Sequence, residues 1–294
     1  MNILFTGSTG FIGSSVTYQL IHEGHQLICI SRKKELGLQS PSITYLNLDL
    51  ATILDQNKLP KNIDCIIHAA ATMEKEIDEN IMYRINTQST ADLLAFGKKQ
   101  KIKKFIFISS GGVYGYSRSP LSENKPPKPV NFYGLSKLQS ELLVNYYSKY
   151  FSTVNLRLFF PYGSHQIKGI IPQLTLNIKN DQDIIIYNEG TPVINPIHIT
   201  DVTQSIKRSL SLSGKHTINI CGDETISIKN LAELLGNHLK NAPKFKYATD
   251  RKIKNLIGIN HRMKKHLRIE PTVSLEEGIK NFIIFHEKHP SSHL

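Results

Sequence analysis

The chain has no tryptophan, only three cysteines, and no apolar stretch long enough to cross a bilayer as a helix. A spanning helix needs about 20 predominantly apolar residues, so a helical membrane protein is excluded. The first residues carry neither the basic flank nor the cleavage site of a secretory signal, and the expected compartment is the cytoplasm. Cys29, Cys65 and Cys221 lie in separate apolar runs, which reads as buried, reduced thiols and not as a disulfide framework. No Cys/His spacing suits a metal, and His22, His25, His261 and His266 read as surface residues. Acidic residues are also in short supply: 24 Asp and Glu stand against 36 Lys and Arg, a formal charge of +12. Much of the excess falls between Lys244 and Arg268, where Asp250 is the only acid. Such a stretch raises the question of nucleic-acid binding. With little aromatic interleaving and no recognised module around it, it reads instead as a solvated lysine-rich surface whose field also favours an anionic small substrate. No nucleic-acid or membrane partner is expected.

What the chain does contain is enough apolar material, 40% of 294 residues, to fill one large domain or two smaller ones. It shows no internal repeat and no low-complexity tract. The organising stretch is M-N-I-L-F-T-G-S-T-G-F-I-G-S-S at residues 1–15. An apolar run over 2–6 meets Gly7, Gly10 and Gly13, and a helical pattern follows at once with Ile12, Val16 and Leu20. This is a strand, a tight turn and a helix start. The unpaired N–H groups and positive dipole end of such a helix suit a pyrophosphate. The spacing is Gly-x-x-Gly-x-x-Gly, a departure from G-x-G-x-x-G, but its position after the first strand is the one that motif occupies.

Beyond it, Gly24 marks the end of the first helix, and apolar runs over 25–30, 43–48, 63–68, 104–110 and 153–160 alternate with helical patterns. That rhythm predicts a doubly wound parallel sheet. The second strand ends in Ser31, Arg32 and Lys33, where an NAD site would carry an acid for the ribose hydroxyl; basic residues there suit a 2′-phosphate, so NADP(H) is expected in preference to NAD(H). The fourth ends in Ala69-Ala70-Ala71, small residues that let a flat ligand approach, and the next helical pattern carries Asn86. The fifth ends at Ser110. After a polar, proline-rich loop, a helix preceded by Asn131 carries Tyr133 and Lys137, four residues apart and so on one face. A nearby ammonium and a cationic nicotinamide are expected to lower the phenol's pKa toward the working pH, which makes Tyr133 a useful proton donor and acceptor. From Gly163 on the rhythm changes, and a smaller C-terminal α/β lobe is expected. The predicted division is residues 1–163 with about 195–212 for the nucleotide-binding domain, and 164–194 with 213–294 for a substrate lobe.

Taken together, T-G-S-T-G-F-I-G (6–13), H-A-A-A (68–71), S-S-G-G-V-Y-G (109–115), Y-G-L-S-K (133–137), R-L-F-F-P-Y-G (157–163) and I-H-I-T-D-V (197–202) resemble the extended short-chain dehydrogenase/reductases, specifically the NAD(P)-dependent sugar epimerase/dehydratase group. A looser match is E-P-T-V-S-L-E-E-G-I (270–279). The resemblance implies a Rossmann fold and an oxidoreductase acting on a carbonyl or secondary alcohol of a sugar, with Ser110, Tyr133 and Lys137 catalytic. It implies that Gly7, Gly10 and Gly13, with Thr9, Phe11 and Ile12 in the same turn, carry the pyrophosphate. Asp49 and Leu50 would lie at the adenine, Ser31 and Arg32 at its ribose, and Ala69, Ala70, Ala71, Asn86, Tyr133, Lys137 and Pro161 along the rest of the cofactor. A homodimer and a nucleotide-sugar substrate are also implied. Two departures bear on the reaction. Family 4,6-dehydratases carry Thr-Asp-Glu near the position of Ser110, whereas Ser110-Gly111-Gly112 supplies no acid pair, so dehydration is not expected. Where nucleotide-sugar epimerases have a diphosphate-gripping arginine, this chain has Ile194. A 4-ketoreductase and a 4-epimerase stay open, with Arg32 favouring the reductase; the alternative is a non-catalytic NADP-binding sensor on the same fold.

Overall fold

A computed structural model of the protein describes residues 1–32, 38–73, 77–188, 190–250 and 252–289. In chain order its strands are β1 (Asn2–Thr6), β2 (Gln26–Ser31), β3 (Ile43–Asn47), β4 (Cys65–His68), β5 (Lys104–Ser110), β6 (Ser152–Leu158), β7 (Pro161–Tyr162), β8 (Asp183–Tyr187), β9 (Val193–Ile194), β10 (Ile197–His198), β11 (Lys215–Ile220), β12 (Ile226–Ser227) and β13 (Lys244–Ala248). Its α-helices are α1 (Phe11–His22), α2 (Glu79–Tyr83), α3 (Ser89–Gln100), α4 (Phe132–Tyr147), α5 (Ile170–Lys179), α6 (Ile199–Ser209), α7 (Ile228–Leu239) and α8 (Leu275–Lys288).

The chain forms two units, residues 1–113, 126–157 and 203–218 in the first, and 114–125, 158–202 and 219–294 in the second. This differs from the division expected from the sequence. The run over 215–218, assigned to the lobe by its position late in the chain, is the start of β11, an edge strand of the main sheet. The loop over 114–125 joins the second unit because Ser117 bridges to Asn255 and Leu121 to Gly258.

In the first unit the sheet order is β11-β6-β5-β4-β1-β2-β3, with parallel registers from β3 through to β5. Strands of such a sheet are covered on both faces and so read as continuous apolar runs. All four residues of β4 and six of the seven in β5 are buried accordingly. Leu4, Ile66, Leu93, Phe96, Phe105, Phe107 and Val144 belong to one core cluster. Strand order reverses at β1, so a crevice is left at the carboxyl ends of β1 and β4, the place where doubly wound sheets bind ligands. Gly24, at φ +78°, follows the end of α1 as expected, its N–H donating to Ile21 O at 3.0 Å.

The second unit packs α5, α7 and α8 with the β8–β13 pair around Tyr162, Leu174, Ile184, Leu231 and Phe282. Ser274 caps α8 by accepting from Glu277 N at 3.2 Å. Its basic stretch is partly neutralised within the unit: Lys264 pairs with Asp223 at 2.9 Å and Glu270 at 2.8 Å, and Arg262 with Glu123 at 3.7 Å. All three cysteines are free and buried. Among the described residues no helix is long and apolar enough to cross a membrane, and no His/Cys/Asp/Glu group could hold a metal.

Candidate active site

The glycine turn is required by close approach. Gly7 has φ +76°, and a Cβ there would lie 2.6 Å from Ala70 N, against the carboxyl end of β4. A Cβ on Gly13 would lie 1.9 Å from Gly7 O, so α1 packs onto the turn only because that position is bare. Gly10, the N-cap of α1, supplies no side-chain cap, and a Cβ there would meet only Gly7 O, at 3.4 Å. The result is a backbone cradle at the first turn of a 12-residue helix, with Thr9 and Gly10 exposed and Phe11 and Ile12 partly so. A phosphate group fits it.

Facing the turn, the rim at 69–72 is held from beneath. His68 is fully buried between β1 and α3, with Nδ1 2.6 Å from Thr6 Oγ1 and Nε2 3.0 Å from Thr90 Oγ1. Thr6 Oγ1 also accepts from Ala70 N at 3.2 Å, and Thr90 donates to Asn86 O at 2.8 Å. Those roles assign the neutral imidazole with its proton on Nε2. Burial, and secondly the charge of Lys137, push its pKa down to about 3. Asn86 is buried, and its amide is spent on Thr72 N and O, both at 2.9 Å, and on Ser136 Oγ at 3.0 Å. It therefore clips the rim to α4.

Tyr133 and Lys137 sit in the first two turns of α4, which Asn131 caps by accepting from Gly134 N at 2.8 Å. Gly134 lets that turn come down on the carbonyl of Gly112, where a Cβ would be 2.6 Å away. This puts Tyr133 beside the end of β5, near enough for the Ser110 hydroxyl to favour the ionised phenol. Ser110 Oγ also accepts from Gly112 N at 3.0 Å. Lys137 is 1% exposed, with Nζ 4.2 Å from the centroid of the Phe107 ring. Burial depresses its pKa to about 7, while Glu141 one turn on pulls it back up. The expectation of a lowered phenol pKa is not met in the protein alone: burial raises it, and the Ser110 hydroxyl offsets this only in part. The cause is desolvation, which penalises the anion.

Of the other expected residues, Ser31 is buried at the end of β2 and Arg32 is exposed just after it; Lys33 lies outside the described residues. Asp49 is exposed and accepts from Ala51 N at 2.9 Å, while Leu50 is buried. Pro161 belongs to the second unit, paired with Ile197. Ile194, in the same unit, is fully buried in its core. A second-unit cavity of about 270 Å³, lined by Tyr162, His198, Asp201, Glu224 and Thr272 among others, includes none of the expected site residues. Sequence reasoning missed the supports Thr6, Thr90, Ser136, Ser109, Glu141 and Arg157. One signal was available: Glu141 repeats the four-residue spacing from Tyr133 through Lys137.

Residues 3–221 match the NAD dependent epimerase/dehydratase family. The chain is 29% identical over 307 residues to the dTDP-4-dehydro-6-deoxyglucose reductase of Escherichia coli, covering 96% of each chain. It is 30% identical over 243 residues to the GDP-6-deoxy-D-talose 4-dehydrogenase of Aggregatibacter actinomycetemcomitans, covering 80% of this chain and 79% of that one. Among solved structures, the UDP-glucuronic acid 4-epimerase of Bacillus cereus in complex with UDP-glucuronic acid and NAD superimposes with a TM-score of 0.87 at 25% identity, over 98% of this chain and 99% of the other.

Proposed function

The chain belongs to the NAD dependent epimerase/dehydratase family, an enzyme of the extended short-chain dehydrogenase/reductase type, and we propose that it interconverts a 4-keto and a 4-hydroxy nucleotide sugar using NADP(H) in preference to NAD(H). Net reduction is the favoured direction, with 4-epimerisation the variant of the same chemistry in which the bound ketone turns before it is reduced again. The observation that carries the reading is the meeting of Ser110, at the carboxyl end of β5, with Tyr133 where Gly134 brings the first turn of α4 onto Gly112, Lys137 standing one turn further along the helix. The nucleotide-sugar class rests on the names of the relatives, and the preference for NADP(H) on Arg32.

When bound, the nicotinamide supplies or takes the hydride. The protein does the rest. Backbone N–H groups of the Gly7–Gly13 turn hold the diphosphate, and Arg32 meets the ribose phosphate. The Ser110 hydroxyl fixes the substrate oxygen beside the Tyr133 phenol, which gives its proton to the oxygen in reduction and takes it in oxidation. A phenol held at a raised pKa keeps its proton at neutral pH, which suits the donor role. The Lys137 ammonium stabilises the phenolate left behind. A homodimer would use the exposed apolar stripe of α4 formed by Leu135, Leu142 and Tyr146.

The test is to identify the copurified cofactor by mass spectrometry. NADPH consumption is then followed with dTDP-4-dehydro-6-deoxyglucose, and UDP-glucose is incubated without added reductant. Stoichiometric NADPH loss identifies the reductase; interconversion of epimers without net loss identifies the epimerase. The Tyr133→Phe variant should bind NADPH as before and lose nearly all turnover; undiminished turnover refutes the assignment.

A further inference from the structure

A buried carboxylate lies on the same stripe as the proposed catalytic pair. Tyr133, Lys137 and Glu141 occupy positions i, i+4 and i+8 of α4, so they stand one above another. Glu141 is 1% exposed. Its Oε1 accepts from Ser109 Oγ at 2.5 Å and from Arg157 Nε at 2.9 Å, and its Oε2 from Arg157 Nη2 at 2.6 Å. Ser109 and Arg157 are themselves 3% and 5% exposed. One carboxylate thus ties together α4, β5 and β6, and its β5 partner is the immediate neighbour of Ser110.

A buried ion pair is weak evidence for stability, because desolvating two charges offsets most of their attraction. Its position speaks for another role. Lys137, one turn away, is fully buried, and a carboxylate at that distance favours the charged ammonium where burial opposes it. The neutral His68 on β4 also faces the lysine, Tyr133 lies one turn back on its own helix, and Arg157 on β6 is paired with Glu141.

We propose that Glu141 is the positioning residue of the Ser110–Tyr133–Lys137 site, its carboxylate locking α4 to β5 through Ser109 and supplying the counter-charge that keeps Lys137 an ammonium beside the phenol. The inference rests on the catalytic reading given above for those three residues. Lys137 and Tyr133 titrate as a coupled pair, in which loss of one proton leaves either ammonium with phenolate or neutral lysine with phenol. With burial lowering Lys137 to about 7 and raising the phenol, the first proton to leave is the lysine's, and the Glu141 charge holds that proton on to higher pH.

The experiment follows the lysine 13Cε resonances of the full chain against pH and isolates Lys137 by subtracting the same titration of a Lys137→Met partner. Glu141→Gln keeps the shape and removes the charge. Because it leaves the Arg157 guanidinium buried without its carboxylate and risks unfolding, Glu141→Gln with Arg157→Met serves as the second variant, both charges being removed together. In folded Glu141→Gln, verified by circular dichroism and NADPH binding, the Lys137 ammonium should become about a tenfold stronger acid, a fall of about one pH unit, with a smaller fall in the double variant, which also removes the opposing guanidinium. With the sugar turned over by the wild type, kcat should fall by about tenfold or more while the KM for NADPH stays within about twofold. An unmoved Lys137 midpoint in folded protein overturns the proposal, since a merely structural role lowers the yield of folded protein without shifting a titration. The titration uses no sugar, so failure of every sugar tested would count against the proposed function and leave this result to stand or fall by itself.

Discussion

The Nζ of Lys137 stands 4.2 Å from the centroid of the Phe107 ring, an ammonium set against an aromatic face in place of water. The position is costly to the fold, and the cost depends on pH. Burial lowers the lysine's pKa from its ordinary 10.5 to about 7, so the folded protein binds this proton less tightly than the unfolded chain. Stability from this group is therefore full above 10.5 and is lost as pH falls toward about 7, below which the loss is constant. A Lys137→Met variant should be more stable than wild type by about 1–3 kcal/mol at neutral pH, with the advantage fading as the solution is made alkaline and with turnover abolished. Denaturant melts at several pH values check this; an advantage that does not vary with pH would contradict the linkage.

The glycine turn separates packing from ligand approach. Gly13→Ala drives a methyl group into the backbone of Gly7 and should cost about 2–4 kcal/mol, with NADPH binding lost. Gly10→Ala meets only Gly7 O at 3.4 Å and should cost less than about 1 kcal/mol while still weakening NADPH by crowding the approach to the helix end. Thermal melts paired with NADPH fluorescence titrations distinguish the two effects; equal melts for both variants would count against this account.

The same turn explains why so much of the fold was legible in the sequence. A residue without Cβ leaves a local mark wherever backbones meet, as Gly7 and Gly13 do, and the four-residue step from Tyr133 to Lys137 is fixed by helix geometry alone. Partners brought together by the fold leave weaker marks. That Arg157 would find Glu141, or that Asn86 would spend its amide on Thr72 and Ser136, depends on the order of strands. Likewise β11 reads as part of the lobe until its pairing beside β6 is known. The direction of the Tyr133 shift failed for a related reason: sequence names the neighbouring charges but not the depth of burial, and burial outweighs them.

His68 sets an acid limit. Its pKa falls from 6.5 to about 3 on folding, so the neutral ring contributes stability that is complete above 6.5 and is lost as pH drops toward 3. Each unit across that window should remove up to about 1.4 kcal/mol. A His68→Gln variant should be less stable at neutral pH, because the bonds to Thr6 and Thr90 are disturbed, yet lose less on acidification. Urea midpoints measured from neutral to mildly acidic pH compare the slopes, and parallel slopes would rule out His68 as the titrating group.

The apolar stripe of α4 offers a test of assembly. Leu142 and Tyr146 are each 61% exposed, one turn apart. If they meet a second copy, Leu142→Glu should convert a dimer to a monomer in light scattering while shifting stability of the monomer by less than about 0.5 kcal/mol. A wild-type chain that is already monomeric would dispose of the interface.

Arg32 should decide the cofactor. It is exposed directly after β2, and the run Ser31-Arg32-Lys33-Lys34 carries no acid to meet a ribose hydroxyl. A guanidinium binds a phosphate in a charge-assisted, two-pronged geometry but has little to gain from a bare hydroxyl. Arg32→Ala should therefore weaken NADPH by about tenfold, equivalent to about 1.4 kcal/mol, and leave NADH within about twofold. Arg32→Asp should go further and reverse the preference, because the carboxylate repels the 2′-phosphate and accepts from the hydroxyl that replaces it. Both are read from fluorescence titrations at fixed ionic strength, since the phosphate contact is sensitive to salt. Equal losses for the two cofactors would mean that Arg32 acts on the fold or on a shared part of the ligand, and the preference for NADP(H) would have no support from this residue.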